Sequence, residues 1–136
     1  MGAAKSLAMT YSDREYLLYY IDRKDQQNIR KLLQKRPDLL NHKITEKTKM
    51  TPLYRAAYNG DHATTAFLLE ECEAAINQPT ENGETPLIAA VKRNHIRVVR
   101  YLLEHGADYK FMTPHGLSTL EFAVLPGYYE IAMLIY

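Results

Sequence analysis

A short stretch of this sequence occurs twice, and its spacing limits the folds that the chain can adopt. Residues 51–61 read TPLYRAAYNGD, and residues 85–95 read TPLIAAVKRNH, 34 positions further along. Two more stretches extend the series, GLSTLEFAV at 116–124 and IRKLLQKRPDLLN at 29–41. A period of 33 to 36 residues is typical of stacked supersecondary units, none of which buries its apolar face alone. The chain is therefore predicted to be a solenoid of four repeats.

Each repeat carries the signals of two short helices. Thr51 and Thr85 precede proline, and Thr-Pro favours a helix start because the threonine oxygen caps the helix and proline needs no N–H partner there. The second helix has apolar residues at helical spacing, and in the third repeat it ends near Gly106, which can adopt a positive φ. In the first repeat, Ser12 and Glu15 form a capping-box pattern instead.

The order of helix, turn, helix and projecting turn, with Thr-Pro-Leu near the start, resembles the ankyrin repeat. The match is close in ETPLIAAVKRNHIRVVRYLLEHGAD, residues 84–108. This resemblance implies an all-α fold, an ankyrin-repeat solenoid of stacked helix-turn-helix units with projecting turns. The expected divisions are an N-terminal extension at 1–11 and an ankyrin-repeat domain at 12–136, with repeats at 12–45, 46–79, 80–112 and 113–136.

The chain departs from the family pattern at several positions, one of which is Cys72, where the second repeat lacks the terminal glycine. The family has a histidine after Thr-Pro-Leu, whereas the corresponding residues here are Leu18, Tyr54, Ile88 and Glu121. The aspartate that opens each projecting turn is replaced by Thr80 and Thr113. We expect the fold to survive, because apolar stacking dominates its stability, with Leu68, Val99 and Leu102 holding the stack. The strength of the turns is left open.

The resemblance also implies where a partner would bind, namely the groove lined by the ends of the first helices and by the turn tips. With neighbouring helices about 10 Å apart, Arg23, Tyr58 and Arg93 form one row. Cations beside an aromatic ring suit an extended protein segment that carries carboxylates, although a solvated groove without a partner is the alternative. The expected partner-binding residues are Arg23, Lys47, Met50, Tyr58, Asn59, Glu81, Asn82, Glu84, Lys92, Arg93, His115 and Leu117.

Composition and missing motifs argue against several other classes of function, whereas protein binding is what the resemblance implies. The only cysteine, Cys72, rules out an internal disulfide and favours a reducing compartment, so we expect an intracellular, cytoplasmic location. The sequence shows neither an export signal nor an apolar run of about 20 residues. The five histidines lack metal-ligand spacing, so we expect no enzyme activity, metal site or cofactor. With a net charge of +1 and no nucleic-acid motif, we expect no nucleic-acid partner.

The beginning of the sequence suggests a different function. MGAAKS fits the N-myristoylation pattern, with Gly2 as the acceptor. One acyl chain gives only marginal membrane affinity, but residues 1–50 carry a net charge of +5 that would supply a second signal. The alternative function is therefore an N-myristoylated peripheral membrane-associated ankyrin module, which binds membrane only if Gly2 is acylated.

The other end of the sequence bears on self-association. Ile135 and Tyr136 fall on the positions of Leu102 and Leu103, and the run YYEIAMLIY has Glu130 as its only charge. If these apolar residues are exposed, we expect weak self-association through the C-terminal end. If all of them turn inward as a short cap, we expect a monomer.

Overall fold

The computed structural model describes residues 12–136, and its elements in that range are helices apart from one isolated β-bridge between Met112 and Ser118. The helices are α1 (Asp13–Asp22), α2 (Gln26–Lys35), a 3-10 turn (Pro37–Leu39), α3 (Pro52–Tyr58), α4 (His62–Glu70), α5 (Pro86–Lys92), α6 (Ile96–Glu104), α7 (Thr119–Val124) and α8 (Tyr129–Ile135). Consecutive helices form four pairs, and the first helix of each pair packs against the first helix of the next. The predicted all-α solenoid is confirmed.

Hydroxyl side chains start the first helices, as the Thr-Pro pattern predicts. Thr51 Oγ1 accepts a hydrogen bond from the Tyr54 N–H at 3.1 Å, and Thr85 Oγ1 accepts one from the Ile88 N–H at 3.3 Å. Ser118 caps α7 in the same way. These bonds satisfy N–H groups that have no partner within the helix. The start of each first helix is therefore set by the local sequence.

The first repeat differs from the others in the length of its first helix. Helix α1 has 10 residues, whereas α3 and α5 have 7 each. The capping box predicted for Ser12 and Glu15 is present. Counting back from Lys24 and Gly60, the left-handed residues that follow α1 and α3, Thr51 corresponds to Glu15 rather than to Ser12. Helix α1 therefore has an additional turn at its beginning.

Threonine makes the bonds of the projecting turns in place of the family's aspartate. The Thr80 carbonyl accepts a hydrogen bond from the Gly83 N–H at 2.9 Å, and its hydroxyl accepts one from the Glu84 N–H at 3.3 Å. Thr113 makes the same two bonds with the residues three and four positions later, at 2.9 and 3.2 Å. Both threonines are buried. Each threonine therefore supplies a side-chain acceptor within its turn.

Apolar side chains between neighbouring repeats form the core. Leu68, Val99 and Leu102, which were predicted to hold the stack, are fully buried. Ala89 and Ala90 on α5 are also fully buried, and their small side chains allow the neighbouring helices to approach closely. This packing places the ends of the first helices side by side, which is where the candidate site lies.

Candidate binding groove

Corresponding residues of the four repeats follow one another along one side of the stack. A residue with positive φ follows the end of each first helix and turns the chain towards the second: Lys24, Gly60, Asn94 and Gly127. The two residues before each of these form what we call the groove row: Asp22 and Arg23, Tyr58 and Asn59, Lys92 and Arg93, Leu125 and Pro126. Because each chain reversal has a residue with positive φ at the same point, these pairs occupy equivalent positions in the four repeats.

Tyr58 and Arg93, which were predicted to be neighbours, are in contact. The guanidinium carbon of Arg93 lies 4.8 Å from the centroid of the Tyr58 ring. The Tyr58 ring stacks on that of Tyr54, with centroids 6.4 Å apart, and also lies 5.6 Å from the guanidinium of Arg55. Arg93 is exposed and Tyr58 is half-buried. A guanidinium that lies on an aromatic face keeps N–H groups at its edge for a carboxylate ligand.

Arg23 contacts a different tyrosine from the one that the predicted row suggests. Its guanidinium carbon lies 5.3 Å from the ring centroid of Tyr19, a residue of its own helix α1. Tyr58 and Arg93 are therefore in direct contact. Arg23 occupies in the first repeat the place that Arg93 occupies in the third, and it lies on the ring of Tyr19.

An ion pair connects the first two repeats within the groove row. The Asp22 carboxylate accepts hydrogen bonds from the Arg55 guanidinium at 2.8 and 3.0 Å and from Asn59 Nδ2 at 2.8 Å. Partial burial acts to raise the pKa of Asp22, but the hydrogen bonds from Arg55 and Asn59 outweigh it and lower that pKa. The same pair raises the pKa of Arg55. The charge of Asp22 is therefore neutralised within the chain.

A second network connects the second and third repeats. The Glu84 carboxylate accepts hydrogen bonds from Tyr54 Oη at 2.8 Å and from Lys92 Nζ at 3.0 and 3.1 Å. Burial and the hydrogen bond to Glu84 raise the pKa of Tyr54 well above its ordinary value. The Lys92 ammonium also lies 5.7 Å from the ring centroid of Phe122. Glu84 and Lys92, both predicted contact residues, are thus paired with each other.

The predicted residues at the turn tips differ in their exposure. Lys47, Glu81, Asn82 and His115 are exposed, and Leu117 is half-buried. Met50 is only 8% exposed, and its sulfur lies 3.9 Å from Arg55 Nη1. Met50 therefore belongs to the floor of the groove and does not project from it.

A cavity of about 210 Å³ lies between the turn tips and the helices α3 and α5. Its lining includes Met50, Tyr54, Tyr58, Asn82, Glu84 and Lys92, and all of these except Tyr54 were predicted as contact residues. Pockets for small-molecule ligands are larger, about 300 to 1,000 Å³. This cavity is therefore smaller than a typical small-molecule pocket.

Sequence reasoning missed three residues of this site: Tyr54, Arg55 and Phe122. Tyr54 was assigned only to the histidine position of the repeat, yet its hydroxyl reaches Glu84. Arg55 lies three residues before Tyr58 on the same helix, and residues at that spacing are neighbours on a helix surface. That spacing could have identified Arg55 from the sequence. The contact between Phe122 and Lys92 joins different repeats, so no spacing within one helix indicates it.

His95, beside the groove row, and Cys72, which follows the second helix α4, have surroundings that indicate structural roles. His95 Nε2 lies 3.0 Å from the carbonyl oxygen of Tyr58. Burial, and then the charge of Glu71, raise the pKa of the Cys72 thiol, which is the opposite of what a nucleophile needs. Within residues 12–136, no group of three or more His, Cys, Asp or Glu side chains is arranged to hold a metal ion. None of the helices in the described range has the length and apolar character needed to cross a membrane.

Comparison with known proteins finds ankyrin repeats over most of the chain. A family model described as ankyrin repeats, in three copies, matches residues 17–113 and 64–136. Human NAD-capped RNA hydrolase NUDT12 is 33% identical over 86 residues, which are 63% of this chain and 19% of that protein. The 26S proteasome non-ATPase regulatory subunit 10 of Dictyostelium discoideum is 41% identical over 63 residues, 46% of this chain and 27% of that protein.

A further relative is human ankyrin repeat domain-containing protein 40, which is 38% identical over 77 residues, 57% of this chain and 21% of that protein. The chain thus spans about a fifth to a quarter of the length of these relatives. Ankyrin repeats generally mediate protein–protein interaction, using the extended concave surface that stacked repeats create. The four helical pairs, the hydroxyl-capped first helices and the matched residues together show that this chain belongs to the ankyrin-repeat family.

Proposed function

We propose that this chain is a non-catalytic protein-binding module, a scaffold, adaptor or inhibitor, whose partner contacts the groove row and the turn tips. The observation that supports this proposal best is the stacking of the exposed Arg93 on Tyr58. Tyr58 is itself held against Tyr54. A partner would meet side chains that are already ordered, which reduces the entropy lost on binding. Tyrosine and arginine are also enriched among the residues that dominate protein interfaces.

The turn tips extend the proposed contact surface. Lys47, Glu81, Asn82 and His115 are exposed beside the groove row, as is expected of residues that contact a partner. Glu84 and Lys92 line the cavity below them, and Met50 forms part of its floor. The proposed partner is another protein, with its main chain along the groove row and one side chain in the cavity.

The double variant Tyr58→Ala/Arg93→Glu tests this proposal. A partner is captured by crosslinking, purified, and measured against each variant by titration calorimetry. We expect the double variant to bind at least about tenfold more weakly, a loss of about 1.4 kcal/mol or more, with nearly unchanged helical content and melting temperature. Both side chains belong to the groove row and not to the fully buried core.

The matched control is Arg97→Glu, because Arg97 is an exposed arginine of the second helix α6. It makes the same charge change outside the groove row. Equal weakening by Arg97→Glu, or unfolding of the double variant, would contradict the proposal.

The proposal includes the absence of catalysis and a cytoplasmic, intracellular location. The hydrolase NUDT12 matches over only 19% of its own length, so its activity is not transferred to this chain. The location is inferred from the single cysteine. We expect no hydrolase, transferase or metal-dependent activity, no bound cofactor and no nucleic-acid partner. Stoichiometric zinc in the purified protein, or turnover abolished by one groove substitution, would contradict this part of the proposal.

The second candidate function is a peripheral membrane module acylated at Gly2, a residue that lies outside the described range together with the rest of the predicted extension, 1–11. It is favoured by exposed basic side chains in the first repeat: Arg14, Arg23, Lys24, Lys31 and Lys35. Basic residues near an anionic lipid surface are each attracted by about 1 kcal/mol. Sedimentation of acylated and unacylated protein with anionic vesicles tests this candidate. Equal sedimentation of the two forms would refute it.

A further inference from the structure

The groove row changes its chemistry from the first repeat to the last. Its first three pairs are polar or aromatic, whereas the fourth pair, Leu125 and Pro126, is apolar. Leu125 is 73% exposed and corresponds to Lys92 of the third repeat. Phe122, half-buried and three residues before Leu125, lies under the Lys92 ammonium. One end of the row therefore offers an apolar surface to a ligand.

The charges of the groove row fall into two classes. Asp22 is neutralised by Arg55, and Lys92 is neutralised by Glu84. Arg23 and Arg93 are exposed, lie on tyrosine rings, and have no carboxylate of residues 12–136 within ion-pair distance. The charge that the row presents to a ligand is therefore positive, which favours a ligand with carboxylates over a basic one.

We propose that the groove row binds an extended acidic segment of the partner that also carries an apolar side chain, an inference that rests on the proposed function. One carboxylate pairs with Arg93, a second pairs with Arg23, and the apolar side chain contacts Leu125. Charge complementarity at the two arginines and the exposed leucine at the end of the row together define this ligand.

The geometry of the stack sets the spacing in the ligand. First helices of neighbouring repeats lie about 10 Å apart, and an extended chain rises about 3.3 Å per residue. Arg23 and Arg93 belong to repeats two steps apart, so the two carboxylates are expected about six residues apart. The apolar residue is expected about three residues beyond the carboxylate that binds Arg93.

Synthetic peptides test this proposal directly. The probe is a fluorescent peptide with two glutamates about six residues apart and a leucine about three residues further on, in a serine–threonine background. Its reversed sequence is measured too, which covers both chain directions. By fluorescence polarisation, we expect one of the two to bind at least about tenfold more tightly than the same peptide with glutamines, and less tightly at high salt.

Matched variants assign the contacts. Arg93→Gln should weaken binding of the acidic peptide about tenfold, whereas Arg97→Gln should not change it. Leu125→Ser should weaken the peptide that contains leucine but not the same peptide with serine at that position. Equal binding of the glutamate and glutamine peptides, or equal losses for Arg93→Gln and Arg97→Gln, would overturn the proposal.

The peptide experiment separates failure of this inference from failure of the proposed function. If no peptide binds but the Tyr58→Ala/Arg93→Glu variant still loses affinity for the captured protein, the acidic ligand is wrong and the proposed function stands. If that variant binds the captured protein as the wild type does, both are wrong.

Discussion

The third and fourth repeats contain corresponding residues in opposite surroundings. Val91 is fully buried, whereas Val124, 33 positions later, is 44% exposed. Tyr101 is 8% exposed, whereas Leu134 at the corresponding place is 37% exposed. The comparison shows that a repeat position has no stabilising value of its own, because an apolar side chain contributes only where a neighbouring repeat removes it from water.

The last repeat combines the two arrangements that its sequence left open. Ile131 and Ile135 turn inward and are 0% and 9% exposed. Met133 and Tyr136 are 74% and 94% exposed, so the apolar residues do not all turn inward as a cap. Substitutions between repeats should therefore cost more stability than substitutions on the outer face of the fourth repeat, and mutations can measure this difference.

The largest expected effect is at Leu102, which is fully buried between repeats. Leu102→Ala should lower the free energy of unfolding by about 2 to 5 kcal/mol, because it removes buried methyl groups and leaves a cavity. Urea unfolding followed by circular dichroism measures this change. The corresponding Ile135→Ala in the last repeat should cost less, since Ile135 is 9% exposed whereas Leu102 is fully buried. Equal losses for the two variants would contradict the comparison.

A smaller effect is expected for the difference between Gly60→Ala and Gly127→Ala, since Gly60, in the turn between α3 and α4, lies against His95 of the third repeat. Gly60 has φ +70°, and a Cβ there would lie 2.5 Å from Nδ1 of His95. Gly127 has φ +88° at the corresponding place in the last repeat, but its nearest neighbour, Tyr129, is 3.9 Å away. Alanine costs about 1 to 2 kcal/mol at either position because of the left-handed backbone. Only Gly60→Ala should add about 1 to 3 kcal/mol from the clash with His95.

Thermal unfolding of the two glycine variants, alone and combined with His95→Ala, separates these two costs. In the His95→Ala background we expect both substitutions to cost the same. A persistent difference in that background would show that His95 is not the cause.

A still smaller effect is expected from Asp22→Asn, which weakens the pair that connects the first two repeats. Both side chains are partly exposed, 37% for Asp22 and 26% for Arg55, so the loss should be at most about 1 kcal/mol near neutral pH. The pKa of Asp22 is lower in the folded protein than in the unfolded chain. The stabilisation is therefore complete above the unfolded value of about 3.9 and is lost as the pH falls through the folded value.

Urea unfolding at about pH 7 and about pH 3 checks this pH dependence. The difference between wild type and Asp22→Asn should shrink at the lower pH, and Glu81→Gln, an exposed turn-tip control, should show no such change. A difference that is the same at both pH values would refute the role of the ion pair.

The smallest expected effect on stability comes from the exposed face of the last repeat. Leu134→Ser/Tyr136→Ser should change the free energy of unfolding by less than about 0.5 kcal/mol, because both side chains are exposed. The same change should abolish weak self-association of the 136-residue chain at high concentration. Sedimentation analysis over a wide concentration range measures this, and a wild type that stays strictly monomeric would contradict the prediction.

The sequence was informative wherever a signal is local or repeated. Thr51 and Thr85 predicted the helix starts because the cap and the capped N–H are three residues apart. Leu102 was predicted as core because apolar residues at helical spacing must lie on one buried face. The same reasoning missed the additional turn of α1, since the capping box at Ser12 fits a helix of either length.

The sequence by itself determined the all-α repeat architecture and the capped helix starts. Only the tertiary structure decided that Arg55 pairs with Asp22, that Tyr54 and Lys92 share Glu84, and that Arg93 lies on Tyr58. Most of these contacts join side chains in different repeats, 30 or more positions apart. The repeat period places such residues side by side, but which of them touch depends on the distance and rotation between neighbouring helices, and these are set by packing of the whole stack.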